Sequence, residues 1–182
     1  MVLEKSSPLG KGYVQVYTGN GKGKTTAALG LALRAAGHGL RTYIGQFMKG
    51  QQYGELEAAK YLRPYLTIEQ YGRPGWVHVQ GPPEEEDVQL AREGLRKARE
   101  AMLSGKYQIV ILDEIITAHR FGLIPLSDLM VFIASKPDGL ELVLTGRHAP
   151  PEIVATADLV TEMVEVKHYF QKGVFARDGI ER

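Results

Sequence analysis

The segment Thr18-Gly19-Asn20-Gly21-Lys22-Gly23-Lys24-Thr25-Thr26 constrains this chain more than any other. It lies between the apolar run Tyr13-Val14-Gln15-Val16-Tyr17 and the small, apolar stretch Ala27-Ala28-Leu29-Gly30-Leu31-Ala32-Leu33. The run reads as a strand and the stretch as a buried helix. Glycines between them let the backbone curl until successive N–H groups point at one anion. Lys24 adds a point charge, and the Thr25 hydroxyl can hold a magnesium ion. The helix turns its positive end, roughly half a unit charge, toward the same place. This order of elements predicts a phosphate site, and hence a nucleotide.

The usual consensus for such a loop is G-x-x-x-x-G-K-[ST]. Here Thr18 stands at the first glycine position, the glycines fall at Gly19, Gly21 and Gly23, and Lys22 adds a second lysine. That spacing suits a triphosphate held in a register unlike that of ordinary kinases and GTPases. The candidate nucleotide contacts are Gly19, Asn20, Gly21, Lys22, Gly23, Lys24, Thr25 and Thr26.

Past the loop, strand and helix signals alternate. Strands are predicted at 13–18, 41–47, 66–71, 108–112, 140–145 and 159–163, with helices at 54–61, 115–121, 126–134 and 151–155. The run Ile109-Val110-Ile111-Leu112 is continuously apolar, as expected of a strand buried on both faces of a parallel sheet. Pro82-Pro83 open the clearest helix, whose stripe is Val88, Ala91, Leu95, Ala98 and Met102. Its acidic start, Glu84 to Asp87, reads as helix capping rather than a metal site. Between residues 72 and 83 lies an irregular stretch long enough to be functional or mobile. The fold class that follows is α/β: a three-layer sandwich with a mostly parallel sheet and right-handed crossovers. Residues 12–182 form one nucleotide-binding catalytic domain. Residues 1–11, with Gly, Ser and Pro, form a mobile arm.

Ligands of such sheets collect at the carboxyl ends of the strands. Asp113 and Glu114 end the most buried strand and can hold a metal with Thr25. Thr145-Gly146-Arg147-His148 leaves the next strand at the same edge, where Arg147 can reach a phosphate. Gln46-Phe47-Met48-Lys49-Gly50 ends another, with Lys49 a candidate for an anionic or amide-bearing ligand. The five histidines lack metal-ligand spacing. The absence of cysteine excludes disulfides, thiolate metal sites and Cys nucleophiles. A net charge of +1 gives no broad basic field for nucleic acid. No run approaches the ~20 apolar residues that span a bilayer, and the first eleven residues lack the apolar core of a signal peptide. A cytoplasmic protein without nucleic-acid or membrane partners is expected.

Taken together, these segments resemble the P-loop type ATP:corrinoid adenosyltransferases of cobalamin biosynthesis and salvage. The resemblance runs from about Tyr13 to Glu181. It includes the loop, Gln46-Phe47 with Lys49-Gly50, Gly54-Glu55, Leu112-Asp113-Glu114, Leu144-Thr145-Gly146-Arg147 and Ala149-Pro150. It continues through 157–163 and the tail Lys167-His168-Tyr169-Phe170, Gly173, Ala176 and Gly179-Ile180-Glu181. The resemblance implies a P-loop NTPase core of RecA-like type, and ATP, Mg2+ and a corrinoid substrate. It also implies a separate reductase or flavoprotein as electron donor, and a homodimer. The implied reaction is attack of a cobalt(I) corrinoid on the 5′ carbon of ATP with triphosphate leaving. ATP would then lie reversed relative to kinases.

On that reading Lys24, Glu114 and Arg147 are catalytic, while Thr25, Asp113 and Glu114 hold the metal. Phe47, Lys49 and Trp76 join the loop in binding, and residues 1–11 fold over the corrinoid. Trp76 would cover the lower corrin face, assisted by Tyr71 or Phe47. Here the chain departs from the pattern of the family it resembles: Pro74 stands where that pattern has a Phe two residues before the Trp. Two other classes share the loop, a small-molecule kinase and a nucleotide-gated regulatory ATPase. The released product separates all three.

Overall fold

Six short runs rich in apolar and β-branched residues become six strands in the computed structural model, which describes residues 8–74 and 82–182. They are β1 (Val14–Thr18), β2 (Thr42–Phe47), β3 (Leu66–Tyr71), β4 (Ile109–Asp113), β5 (Glu141–Thr145) and β6 (Leu159–Glu162). All pair in parallel, in the order β3-β2-β4-β5-β1-β6. Parallel neighbours need crossovers, and helices supply them: α1 (Lys24–Gly37), α2 (Gly54–Tyr61), α3 (Glu85–Leu103), α4 (Ile115–Arg120), α5 (Leu126–Ala134) and α6 (Pro151–Thr156). A 3-10 turn at Tyr169–Lys172 follows the last strand.

Alternation along the strands feeds two cores. Val110 and Leu112 of β4 join Phe47, Ala91, Ala98, Met102 and Phe132 under α3 and α5. Ile109 and Ile111 of the same strand join Ala28, Ala32 and Ala59 under α1 and α2. The three-layer α/β sandwich expected from the sequence is therefore what forms. Leu9, in the segment read as an arm, packs against the second core. Residues 1–7 and Trp76, for which a lid and a corrin contact were expected, lie outside the described residues.

The strand order decides the site. β5 stands between β1 and β4, so the loop after β1 and the carboxylates after β4 are two strand spacings apart, roughly 10 Å. The end of β5 fills the gap between them.

One expectation changes. No acidic side chain makes a cap bond at the start of α3. Asp87 is buried and takes both Nε and Nη2 of Arg73, at 2.8 and 2.6 Å, while Glu84 takes Nη1 at 2.6 Å. The acids still suit the helix dipole, and Glu84, Glu86 and Asp87 also hold Arg73, just past the end of β3. Ion pairing with a bidentate arginine satisfies a buried carboxylate better than a single amide does.

Candidate active site

The loop between β1 and α1 is shaped by a neighbour the sequence does not reveal. Met163, just past β6, donates its N–H to Thr18 O (2.8 Å) and accepts the Gly21 N–H (2.7 Å). Its backbone lies so close that a Cβ on Gly19 would meet Met163 O at 2.4 Å, and one on Gly21 would meet it at 2.7 Å. This close approach explains the unusual glycine register: two glycines face another backbone rather than an anion. Gly19 also has φ of 93°, in the region that favours glycine. One amide of the loop is thereby spent on Met163. The first-turn amides of α1 have no intrahelical partner and remain for an anion.

Lys24 is buried and donates to Gly19 O and Gly21 O, each at 2.8 Å. Burial pushes its ammonium below the ordinary lysine pKa. Glu114 and Asp113 work against that shift, and Arg147 works with it. Two neutral carbonyls are modest partners for a buried cation, so a phosphate arriving here gains a strong one. Lys22 is exposed and donates to Ile180 O at 3.2 Å, tying the chain end to the loop. Asn20 and Thr26 are exposed beside it.

Asp113 is 1% exposed and saturated with donors. Its Oδ1 accepts from Thr25 (2.9 Å) and Thr145 (2.7 Å), and its Oδ2 from Lys49 (2.8 Å) and Gln46 (3.4 Å). Gln46 also donates to Glu55 at 2.9 Å and accepts from Gln70 at 3.1 Å. Glu55 lies 3.7 Å from Lys49. Burial works to lower the Lys49 pKa, but Asp113 and Glu55 outweigh it, so the ammonium stays charged above its usual range. A lysine thus occupies the carboxylate expected to face metal. Any divalent ion here meets Asp113 through water or must displace Lys49.

Glu114 sits at φ 62°, a left-handed conformation that costs a non-glycine residue roughly 1 kcal/mol or more. The Thr145 hydroxyl takes its N–H at 2.9 Å, and its Oε2 accepts from Thr117 at 2.5 Å. Its other carboxylate oxygen has no hydrogen bond among the described residues. Thr117 also accepts the Arg147 N–H at 3.1 Å, and a Cβ on Gly146 would lie 2.6 Å from Thr117 N. These contacts fix the turn after β5 and leave the Arg147 side chain exposed, near enough to Lys24 for its charge to be felt.

Loop, Asp113, Glu114, Lys49 and Arg147 are therefore brought to one edge. Phe47 is not. It is wholly buried, with its ring against Tyr71 (5.9 Å) and under Gly94 of α3. Neighbours on a strand face opposite ways, so Gln46 enters the site while Phe47 enters the core. All six residues of β2 are buried, so their apolarity gives no sign of which way each faces. Gln46, Glu55, Thr145 and Met163 lie in segments the sequence singled out but were given no role of their own there, and Thr117 was not singled out.

With a single strand between the loop strand and the carboxylate strand, this sheet has a RecA-like α/β build. The KaiC-like protein PH0186 of Pyrococcus horikoshii OT3 shares it, with a TM-score of 0.52 and 16% identity over 84% of this chain and 73% of its own. Sequence comparison narrows the class. The profile of the family ATP:corrinoid adenosyltransferase BtuR/CobO/CobP matches residues 10–182. The corrinoid adenosyltransferase of Sinorhizobium sp is 36% identical over 94% of this chain and 80% of its own length. That of Escherichia coli K12 is 34% identical over 94% and 86%. The chain belongs to the ATP:corrinoid adenosyltransferase family. As a member it is a transferase whose substrates are ATP and a corrinoid.

Proposed function

We propose that the edge formed by the loop, Glu114 and Arg147 carries out the family's transfer with a cobalt(I) corrinoid as nucleophile. The cobalt–carbon bond forms at the ATP 5′ carbon as its carbon–oxygen bond breaks, and that electron pair leaves on triphosphate. No protein base is needed, because the nucleophile is the corrinoid's metal. What the chain must do is hold the triphosphate and absorb charge growing on it. Lys24 and the first-turn amides of α1 bear on the phosphates, and Arg147, exposed and unpaired among the described residues, closes on them from the β5 side.

Magnesium fits this donor set. The Thr25 hydroxyl points its proton at Asp113, leaving oxygen lone pairs for a cation, and Glu114 offers a free oxygen. All these donors are oxygens, as a hard divalent ion requires. Among the described residues no three His, Asp or Glu gather as a metal site, so a bound ion would take its remaining ligands from phosphates and water. When bound, the ion neutralises charge on the leaving triphosphate.

The observation carrying this reading is the family match over residues 10–182, joined to a buried Lys24 whose hydrogen-bond partners among the described residues are carbonyls. A separate reductase or flavoprotein supplies the electrons, the enzyme acts as a homodimer in the cytoplasm, and Trp76 covers the corrin. No helix among the described residues is long and apolar enough to cross a membrane. The test supplies ATP, magnesium and chemically reduced corrinoid, and resolves the products. Triphosphate formed one-for-one with adenosylated corrinoid is expected. ADP with a phosphorylated product would make the protein a kinase, and ADP with free phosphate a nucleotide switch.

A further inference from the structure

The sheet edge opposite the phosphate loop holds a second cavity, of about 590 Å³, within the range of small-molecule sites. It lies where β2, β3 and β4 begin. Six residues of β2 separate it from the catalytic edge, a rise of roughly 20 Å. One wall is apolar, built from Leu56 of α2 and from Leu66 and Ile68 of the edge strand β3.

The other wall is cationic. Arg41, Lys60, Arg63 and Lys106 line the cavity, and no Asp or Glu among the described residues does. Lys60 is paired with Glu57 at 2.6 Å. Arg41, Arg63 and Lys106 form no ion pair among the described residues. Three uncompensated charges therefore gather on one cavity of a chain whose net charge is +1. Like charges held around one concavity repel, and an anion between them removes the repulsion. A rigid ring completes the site. Tyr107 packs on Tyr43 at 5.6 Å, and its hydroxyl is hydrogen-bonded to Thr67 at 3.3 Å.

We infer that this cavity binds a small organic phosphate, separate from the ATP of the catalytic edge. Its phosphate lies among Arg41, Arg63 and Lys106, and its apolar body lies against Leu56, Leu66 and Ile68. Two guanidinium forks and an ammonium suit a dianionic phosphate better than a singly charged carboxylate. The apolar wall distinguishes an organic phosphate from the free ion.

Pyridoxal 5′-phosphate is the probe, since it carries an aromatic body, a phosphate and an aldehyde that forms an imine with lysine. Borohydride traps the imine, and peptide mapping locates it. Saturating ATP and magnesium shield the loop lysines Lys22 and Lys24. Saturable labelling at Lys106 or Lys60 is expected, about tenfold above exposed Lys97 and Lys172. Phenyl phosphate should protect at about tenfold lower concentration than inorganic phosphate, a preference of about 1.4 kcal/mol for the apolar body. The double variant Arg41→Gln/Arg63→Gln should lose the excess labelling. Uniform labelling of exposed lysines would overturn the site. Equal protection by the two phosphates would overturn the ligand class, and this arm needs no variant. Undiminished excess labelling in the double variant would overturn the role of the arginines.

Discussion

β4 is buried along all five of its residues, and β6 is exposed along all four. Both are parallel members of one sheet and both end at the edge of the candidate site, yet they serve it by different means. β4 delivers side chains: Asp113, held by donors from the loop helix, β2, β5 and Lys49, and Glu114 beside it. β6 delivers backbone: the carbonyl and N–H of Met163 pin the loop, whatever side chains the strand presents to solvent. A site can therefore rest on a strand whose burial is complete and on one whose side chains are free to vary. Mutations should separate these two modes of support.

The largest difference is expected in the strands themselves. Ile111→Ala in β4 should cost about 2–5 kcal/mol in urea denaturation, since it empties a packed position. Val160→Ala in β6, 40% exposed, should stay within about 0.5 kcal/mol. Equal losses would break the contrast. Next comes Lys24→Ala, expected to slow triphosphate release by about 10²–10³ with an unchanged melting transition. Wild-type turnover would remove Lys24 from the site.

Lys49→Gln sharpens the β4 side. It replaces a charged hydrogen bond to Asp113 with a neutral one, worth about 1.5–3 kcal/mol. The Lys49 pKa is raised in the folded protein, so its stabilisation is complete below the ordinary lysine value of 10.5. It is lost as pH rises through the folded value. Wild type should therefore exceed the variant by a constant margin at neutral pH, and the margin should shrink in alkaline melts. A margin independent of pH would assign Lys49 to packing. The smallest effect tests β6: Gly21→Ala drives a Cβ to 2.7 Å from Met163 O and should cost about 1–3 kcal/mol, with weaker ATP binding. Met163→Ala keeps the backbone clamp and should bind ATP as wild type does. If that variant binds as poorly as Gly21→Ala, the clamp acts through the side chain.

Much of the site was legible from residues alone. The loop announces itself because glycine, lysine and threonine do local chemistry at fixed spacing. Asp113-Glu114 is legible because a continuous apolar run marks a buried strand and the carboxylates end it. The α3 acids suit the helix dipole as expected, but their pairing with Arg73 was not foreseen, because a sequence shows neighbours along the chain and not across it. Lys49 was expected to face a ligand, and only the packed structure gives it Asp113.

The family came from resemblance to known proteins; the chain by itself determined the six strands, the helices between them and the glycine-rich loop. These follow from periodicity, turn residues and motif spacing, all local along the chain. Tertiary structure alone decided the order β3-β2-β4-β5-β1-β6, which sets Thr145 between loop and carboxylate. It also decided that Gln46 rather than Phe47 enters the site, and that Met163 accounts for two glycines of the loop. Those outcomes depend on which strand lies beside which and which face each turns inward. Both are fixed by pairing between residues far apart in sequence, such as Thr18 with Met163 and Thr25 with Asp113.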